Sequence, residues 1–204
     1  MIVFITLEGI DGSGKTTQLR LLEAWLKEQG LEVVSVREPG GTPLGEKIRS
    51  LLLSAADGPQ TSAAELLLYA AARAELTGTV IQPALQAGRT VIADRFSDST
   101  WAYQVYGRRL KRLWADQVLA GATGGLKPDL TLLFDLTPAV ALARTGRGDR
   151  LEQESLGFFH RVRQGYLTLA QEEPERIRVI AADNKDIETI QALVRQEVRG
   201  LLFS

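Results

Sequence analysis

The sequence predicts an α/β fold in which one parallel sheet is covered by helices on both faces. Three observations carry that prediction. Short apolar runs alternate with longer amphipathic stretches along the whole chain. No repeat, low-complexity tract or linker interrupts them, so residues 1–204 read as one domain. The residues with chemistry to offer gather at the ends of the apolar runs: Gly9, Arg37 and Asp94 after the first three, Arg144 in the helix after the fourth. Strand–helix alternation implies right-handed crossovers and a buried parallel sheet. Such sheets bind ligands at the carboxyl ends of their strands.

The elements follow in order. Ile2–Leu7 reads as a buried strand and Lys15–Gln29 as a helix stopped near Gly30. Glu32–Arg37 is a second strand. Pro43–Leu53 and Thr61–Gln86 read as helices, with Asp57-Gly58-Pro59 as the break between them. Thr90–Asp94 is a third strand, apolar or small until its terminal acid. Leu110–Ala120 is helical, Leu130–Asp135 is a fourth strand, and Pro138–Arg144 opens another helix. Ser155–Glu173 is a long helix, Arg176–Ala181 a fifth strand, and Ile187–Leu202 the closing helix.

Composition sets the outer limits. Hydrophobic residues are 45% and charged residues 24%, as in soluble globular proteins. There is no cysteine, which excludes disulfides, thiolate catalysis and zinc–sulfur sites and suits a cytoplasmic protein. The apolar run at the start is too short for a signal peptide or a membrane span. Net charge is −1, so no global field draws nucleic acid or an anionic membrane, and neither is expected as a partner. Any phosphate recognition must come from local arginines and backbone N–H groups.

One motif is complete: Gly9-Ile10-Asp11-Gly12-Ser13-Gly14-Lys15-Thr16 matches G-x-x-x-x-G-K-[ST] between a strand and a helix pattern. Its glycines let the backbone wrap a phosphate. Its N–H groups and the helix start present positive potential. Lys15 is expected to reach the β- and γ-phosphates, and the hydroxyl of Thr16, followed by Thr17, to meet Mg²⁺ together with Asp94. The loop implies a nucleoside triphosphate and leaves the reaction open. Asp94 is followed by Arg95-Phe96-Ser97 rather than by D-x-x-G, and Asn184-Lys185-Asp186-Ile187 misses the last acid of N-K-x-D, which argues against a GTPase. An ATPase wants an acid beside the strand-end aspartate. Here Arg95 stands there, a phosphate ligand that favours transfer between two phosphate-bearing molecules.

Further motifs narrow the class. Arg37-Glu38-Pro39-Gly40-Gly41-Thr42 follows the second strand, Leu68-Tyr69-Ala70-Ala71-Ala72-Arg73 lies mid-helix, and Asp94-Arg95-Phe96-Ser97-Asp98-Ser99-Thr100-Trp101-Ala102-Tyr103-Gln104 follows the third strand. With the phosphate loop and Asp149-Arg150-Leu151-Glu152, these resemble the thymidylate kinase family from Glu8 to about Val179. The resemblance implies a P-loop NTPase fold with strand order 2-3-1-4-5, a homodimer built on helices, and Mg²⁺-dependent transfer of the γ-phosphoryl of ATP to dTMP, in dTTP synthesis.

It also implies roles. Tyr69 packs against thymine, and Arg73, one helical turn on, donates to its O4, where the amino group of cytosine would be rejected. Ser99 and Thr100 meet the N3 edge, and Tyr103 lies under the sugar and selects deoxyribose. Gln104 supports the base. Arg37 and Arg95 hold the acceptor phosphate near Pro39, whose preceding peptide bond is expected to be cis. Asp11 accepts from the 3′-OH and helps to position Mg²⁺. Trp101 and His160 read as structural, and the adenine contact is expected near Ala181–Asn184.

Arg144-Thr145-Gly146-Arg147-Gly148-Asp149-Arg150 carries three arginines among two glycines, the composition of a short mobile basic lid over about 144–153. Gly12 cannot supply charge from the phosphate loop. The sequence is therefore similar to the members whose catalytic arginine comes from the lid. Arg144 and Arg147, with Lys15 and Arg95, are the expected catalytic groups, and Arg150 is structural or phosphate-binding.

Overall fold

The structure is a computed structural model that describes residues 2–54, 58, 60–145 and 148–202. Its sheet is five-stranded and parallel, in the order β2-β3-β1-β4-β5. The strands are β1 (Phe4–Glu8), β2 (Val33–Arg37), β3 (Thr90–Asp94), β4 (Leu130–Asp135) and β5 (Ile177–Ala181). The three central strands are nearly continuous apolar runs because both of their faces are covered. The edge strands β2 and β5 are only partly buried.

The helices are α1 (Lys15–Glu28), α2 (Pro43–Leu53), α3 (Ser62–Leu76), α4 (Gln82–Gln86), α5 (Ser97–Thr100), α6 (Arg112–Thr123), α7 (Pro138–Arg144), α8 (Leu156–Glu172) and α9 (Ile187–Leu202). Local signals start α2, α3 and α8 where the sequence places them. Thr42, Thr61 and Ser155 each accept a backbone N–H of the first turn, with Pro43 at the head of α2. Successive residues of β1 face opposite sides of the sheet. Ile5 and Leu7 join the core shared with α1, α8 and α9, whereas Phe4 packs with Leu76, Ile81 and Phe96.

Two segments differ from the sequence reading. Thr61–Gln86, expected as one helix, is α3 and α4 joined by a π-helical turn over Thr77–Ile81. Pro83 has no N–H for the α-helical ladder, and the wider turn absorbs the gap. Ser97–Gly107, which the sequence pattern leaves without an element, forms α5 followed by a π-helical stretch over Trp101–Gly107. Its hydroxyl, aromatic and β-branched residues are weak helix formers. Packing on α8, where Tyr106 lies against Gly165, supplies what propensity does not. Among the expectations made from sequence, Arg147 and Gly146 of the lid and most of the Asp57–Pro59 break lie outside the described residues.

Candidate active site

The phosphate loop joins β1 to α1 at the carboxyl edge of the sheet. Gly9, Gly12 and Gly14 all have positive φ (141°, 81° and 94°). A side chain at Gly9 would lie 2.6 Å from the carbonyl oxygen of Phe134, and one at Gly12 would strike that of Ala141. Position 12 is therefore closed to an arginine by sterics as well as by sequence. Lys15 is buried and folded onto its own loop, its Nζ donating to the carbonyls of Gly9 and Ile10 at 3.0 Å each. Burial, aided by Arg95, lowers the pKa of Lys15. The hydroxyl of Ser13 is buried without a partner among the described residues.

Thr16 Oγ1 donates to Asp94 Oδ2 at 2.9 Å. This pair of hard oxygen donors beside the loop suits a small divalent cation bound mainly through nucleotide phosphates and water. Among the described residues there is no cluster of three or more His, Cys, Asp or Glu that would form a cage.

Two clefts meet at this edge. The larger is walled by the phosphate loop between Asp11 and Thr17, by Arg37, Asp94 and Arg144. The smaller is lined by Pro39, Tyr69, Arg73, Ser99, Thr100, Tyr103, Gln104 and Leu151. Asp11, Glu38, Arg49 and Arg95 line both.

The smaller cleft is held by buried charge. Arg73 lies on the buried stripe of α3 formed with Leu66, Ala70 and Thr77. It is 1% exposed and donates from Nε to Glu38 Oε2 (2.7 Å), from Nη1 to Thr100 Oγ1 (2.7 Å) and from Nη2 to the carbonyl of Phe96 (3.0 Å). One N–H on each terminal nitrogen is left over. Burial raises the pKa of Glu38 against the opposing charge of Arg73, and its Oε1 has no partner among the described residues. The Glu38–Pro39 peptide is cis, as expected. Tyr69 is half-buried against Ile48, Leu52 and Ala72. Gln104 Nε2 donates to Glu65 at 2.9 Å, and Glu65 also binds Arg108 and Arg150.

Arg95 adopts φ 73°, its N–H donating to the carbonyl of Leu7. That backbone turn aims the guanidinium at Asp11 Oδ1 (2.7 Å), and the same side chain reaches Tyr103, Ser99 and Tyr166. Burial alone would raise the Asp11 carboxyl, but Arg95 and Lys15 hold it at about 2.

Most other expected residues have partners outside these networks. Arg37 is exposed and pairs with both oxygens of Glu46 (2.9 and 3.0 Å) while facing the larger cleft. Among the described residues Arg144 reaches only the carbonyl of Gly12, at 3.4 Å. Arg150 is tied to the carbonyls of Leu52 and Leu53 and to Glu65, a structural anchor. Asp183, in the loop expected near adenine, is spent on Thr137. Asp186 caps α9 through the N–H of Thr189, a use unrelated to guanine. Trp101 stacks under Arg112 at 3.9 Å, and His160 is exposed on α8.

Sequence reasoning missed Glu8, Arg49, Glu65 and Tyr166, and gave Glu38 no role. Glu8 had a legible signal, an acid closing an apolar strand directly before the loop. Glu65 and Tyr166 read as ordinary helix residues, because their partners come from remote elements.

A phosphate loop on a 2-3-1-4-5 sheet, opening into a second cleft lined by arginines, defines a P-loop kinase. The comparisons with known proteins specify it further. The family model described as thymidylate kinase matches residues 7–194. A thymidylate kinase of Synechococcus sp. (strain JA-3-3Ab) is 55% identical over 186 residues, which cover 91% of this chain and 90% of that protein. Another, of Deinococcus radiodurans, is 50% identical over 189 residues, with 91% of each covered. The crystal structure of thymidylate kinase from Ehrlichia chaffeensis superposes with a TM-score of 0.80 at 36% identity, over 97% of this chain and 98% of that one. The chain belongs to the thymidylate kinase family.

Proposed function

We infer that this chain transfers the γ-phosphoryl of ATP to dTMP, giving ADP and dTDP. The observation that carries the reading is the wall shared by the two clefts: Asp11 and Arg95 stand where a phosphoryl group would pass from one to the other. ATP lies along the phosphate loop with its β-phosphate in the Gly9–Thr17 backbone, and Lys15 turns from the loop carbonyls to the β- and γ-phosphates. Mg²⁺ fits beside Thr16 and Asp94 and, when bound, draws charge from the phosphate oxygens.

The acceptor base enters between Tyr69 and Thr100. The two free N–H groups of Arg73 supply donors for thymine O4, and Ser99 and Thr100 meet the N3 edge. Tyr103 underlies the sugar, Asp11 takes the 3′-OH, and Arg95, Arg37 and Arg49 neutralise the acceptor phosphate, with Pro39 and Gln104 closing the cleft. The acceptor is already an anion, so no proton has to be removed before attack. Arg144 and Arg147, on a lid over about 144–153, neutralise the charge of the transition state. The chain acts in the cytoplasm as a homodimer. Exposed Leu67 on α3 and Leu51 on α2 are the apolar residues such a pairing would cover.

A coupled ADP-release assay with ATP and Mg²⁺ tests the reading, with dTMP, dUMP, dCMP and UMP offered in parallel. dTMP should dominate and dCMP fail; turnover of dCMP at the rate of dTMP would overturn it. Arg147→Ala should lower kcat by about 10³ while ATP still binds.

A further inference from the structure

Glu8 closes β1 immediately before the phosphate loop, is fully buried, and has no part in the roles given above. Its Oε1 accepts the N–H of Phe96 at 2.7 Å. Its Oε2 is one corner of a triangle whose other corners are Ser99 Oγ (2.6 Å) and Tyr166 OH (2.8 Å), the two hydroxyls being 2.8 Å apart. Arg95 Nη1 donates to both hydroxyls at 3.1 Å. Three oxygen–oxygen edges at hydrogen-bonding distance need three protons. The hydroxyls bring two, and the guanidinium protons occupy their outer lone pairs. The third can come from the carboxyl. An ionised Glu8 leaves one edge with lone pairs face to face, whereas a neutral acid closes the ring.

We propose that Glu8 is a positioning residue that works as a neutral carboxylic acid, closing a hydroxyl ring that holds Ser99 and Arg95 toward the acceptor, and that its ionisation weakens acceptor-phosphate binding. The inference rests on the dTMP reading of the smaller cleft. Burial, with the charge of Asp98, pushes the Glu8 carboxyl up to about 7 against the opposing pull of Arg95. The charged and titratable groups around it are Arg95 after β3, Asp98 on α5, Tyr166 on α8 and Lys15 at the head of α1. Asp98 is already committed to Arg176, at 2.7 and 2.9 Å. Once ionised, Glu8 is a second carboxylate beside an arginine that Asp11 already holds, and it competes with the phosphate for that charge. By reciprocity, a bound phosphate dianion makes Glu8 harder to ionise.

The KM for dTMP is measured for wild type and Glu8→Gln from about pH 6 to about pH 9, at saturating ATP and Mg²⁺. The acceptor's own second ionisation, near pH 6, is common to both, as is Lys15. The wild-type KM should rise at least about fivefold relative to the variant above neutral pH, with kcat following parallel profiles. A constant ratio overturns the proposal. Independently, wild type carrying ¹³C-carboxyl glutamate should show one resonance that titrates near neutrality, is displaced in Ser99→Ala, and titrates at higher pH with dTMP bound. Glu38 is hydrogen-bonded to Arg73 and Ser99 to Glu8, so the two carboxyls respond differently to Ser99→Ala. A Glu8 titrating in the ordinary carboxylate range overturns the ring even if Glu8→Gln fails to fold. Absence of dTMP turnover by wild type overturns the assigned reaction and the affinity half of the proposal, while the titration alone decides the ring.

Discussion

The two clefts are built in opposite ways. In the smaller cleft, proposed above for the acceptor, the charged groups are buried and already locked: Arg73 on Glu38, Thr100 and Phe96, and Arg95 on Asp11, Ser99 and Tyr166. Around the phosphate loop they rest on provisional partners: Lys15 on loop carbonyls, Arg37 on an exposed glutamate, Arg144 on one long contact. The difference follows from what each side must recognise. A base is uncharged and is read by a few directional hydrogen bonds, which discriminate only if the donors are rigid. Phosphates carry enough charge to pull lysine and arginine from weak partners as they arrive.

The largest test of the contrast is at the junction. Arg95→Ala removes a locked cation and should lower kcat/KM for dTMP by about 10³. Arg37→Ala removes a parked one and should cost about tenfold, the scale of one charge-assisted hydrogen bond. Steady-state kinetics on both variants decides it, and equal losses would mean that burial does not separate the two arginines.

Next comes base discrimination. Arg73→Lys keeps the charge but loses the planar fork that meets Glu38, Thr100 and Phe96 at once. The KM for dTMP should rise about 10- to 100-fold, and the preference for dTMP over dCMP should shrink. Arg73→Ala instead leaves Glu38 buried and unpaired, a cost of about 3–5 kcal/mol. Denaturant unfolding should show that loss largely relieved when Glu38→Gln is added.

The two carboxyls flanking Arg95 give opposite pH slopes. Asp11 is lowered from 3.8 to about 2, so its stabilisation is complete above the unfolded value and is lost as pH falls from about 4 to about 2. Glu8 is raised from 4.5 to about 7, so its contribution is complete below about 4.5 and is lost as pH rises toward 7. Urea midpoints against pH should therefore be flatter for Asp11→Asn in the acid window and for Glu8→Gln in the near-neutral one. The same slope in wild type and variant would remove the assignment for that residue.

How much of this was legible depended on whether a residue's partners are near in sequence. The sheet was readable because Phe4–Glu8, Thr90–Asp94 and Leu130–Asp135 are apolar runs, and burial on both faces leaves such a run. The strand order was not in any run; it came from the family resemblance. The loop was readable because Gly9, Gly12, Gly14, Lys15 and Thr16 stand in one short stretch. The Ser97–Gly107 helix was missed because its stability lies in packing on α8, some 60 residues away in sequence. Glu65 and Tyr166 were missed for the same reason. Each is ordinary on its own helix and acquires its role from Arg108, Arg150, Glu8 and Ser99.

The smallest effect examines parking directly. If Arg37 must leave Glu46 to hold the acceptor phosphate, weakening that pair should help binding. Glu46→Gln keeps an oxygen to accept the N–H of Gly41 (2.8 Å), so the loop over the cleft stays formed. It removes the charge that holds the guanidinium. Both side chains are about half exposed, at 51% and 45%, so the pair is worth little and is screened by salt. The KM for dTMP should therefore fall by only about two- to fivefold. That gain should fade as ionic strength rises, because salt already loosens the wild-type pair. An unchanged KM at low salt would mean that Arg37 keeps Glu46 in the bound state, leaving Arg95 and Arg49 to carry the phosphate. A raised KM would mean that Glu46 positions Arg37 rather than restrains it, which would move Arg37 into the same class as Arg73 and narrow the contrast between the clefts.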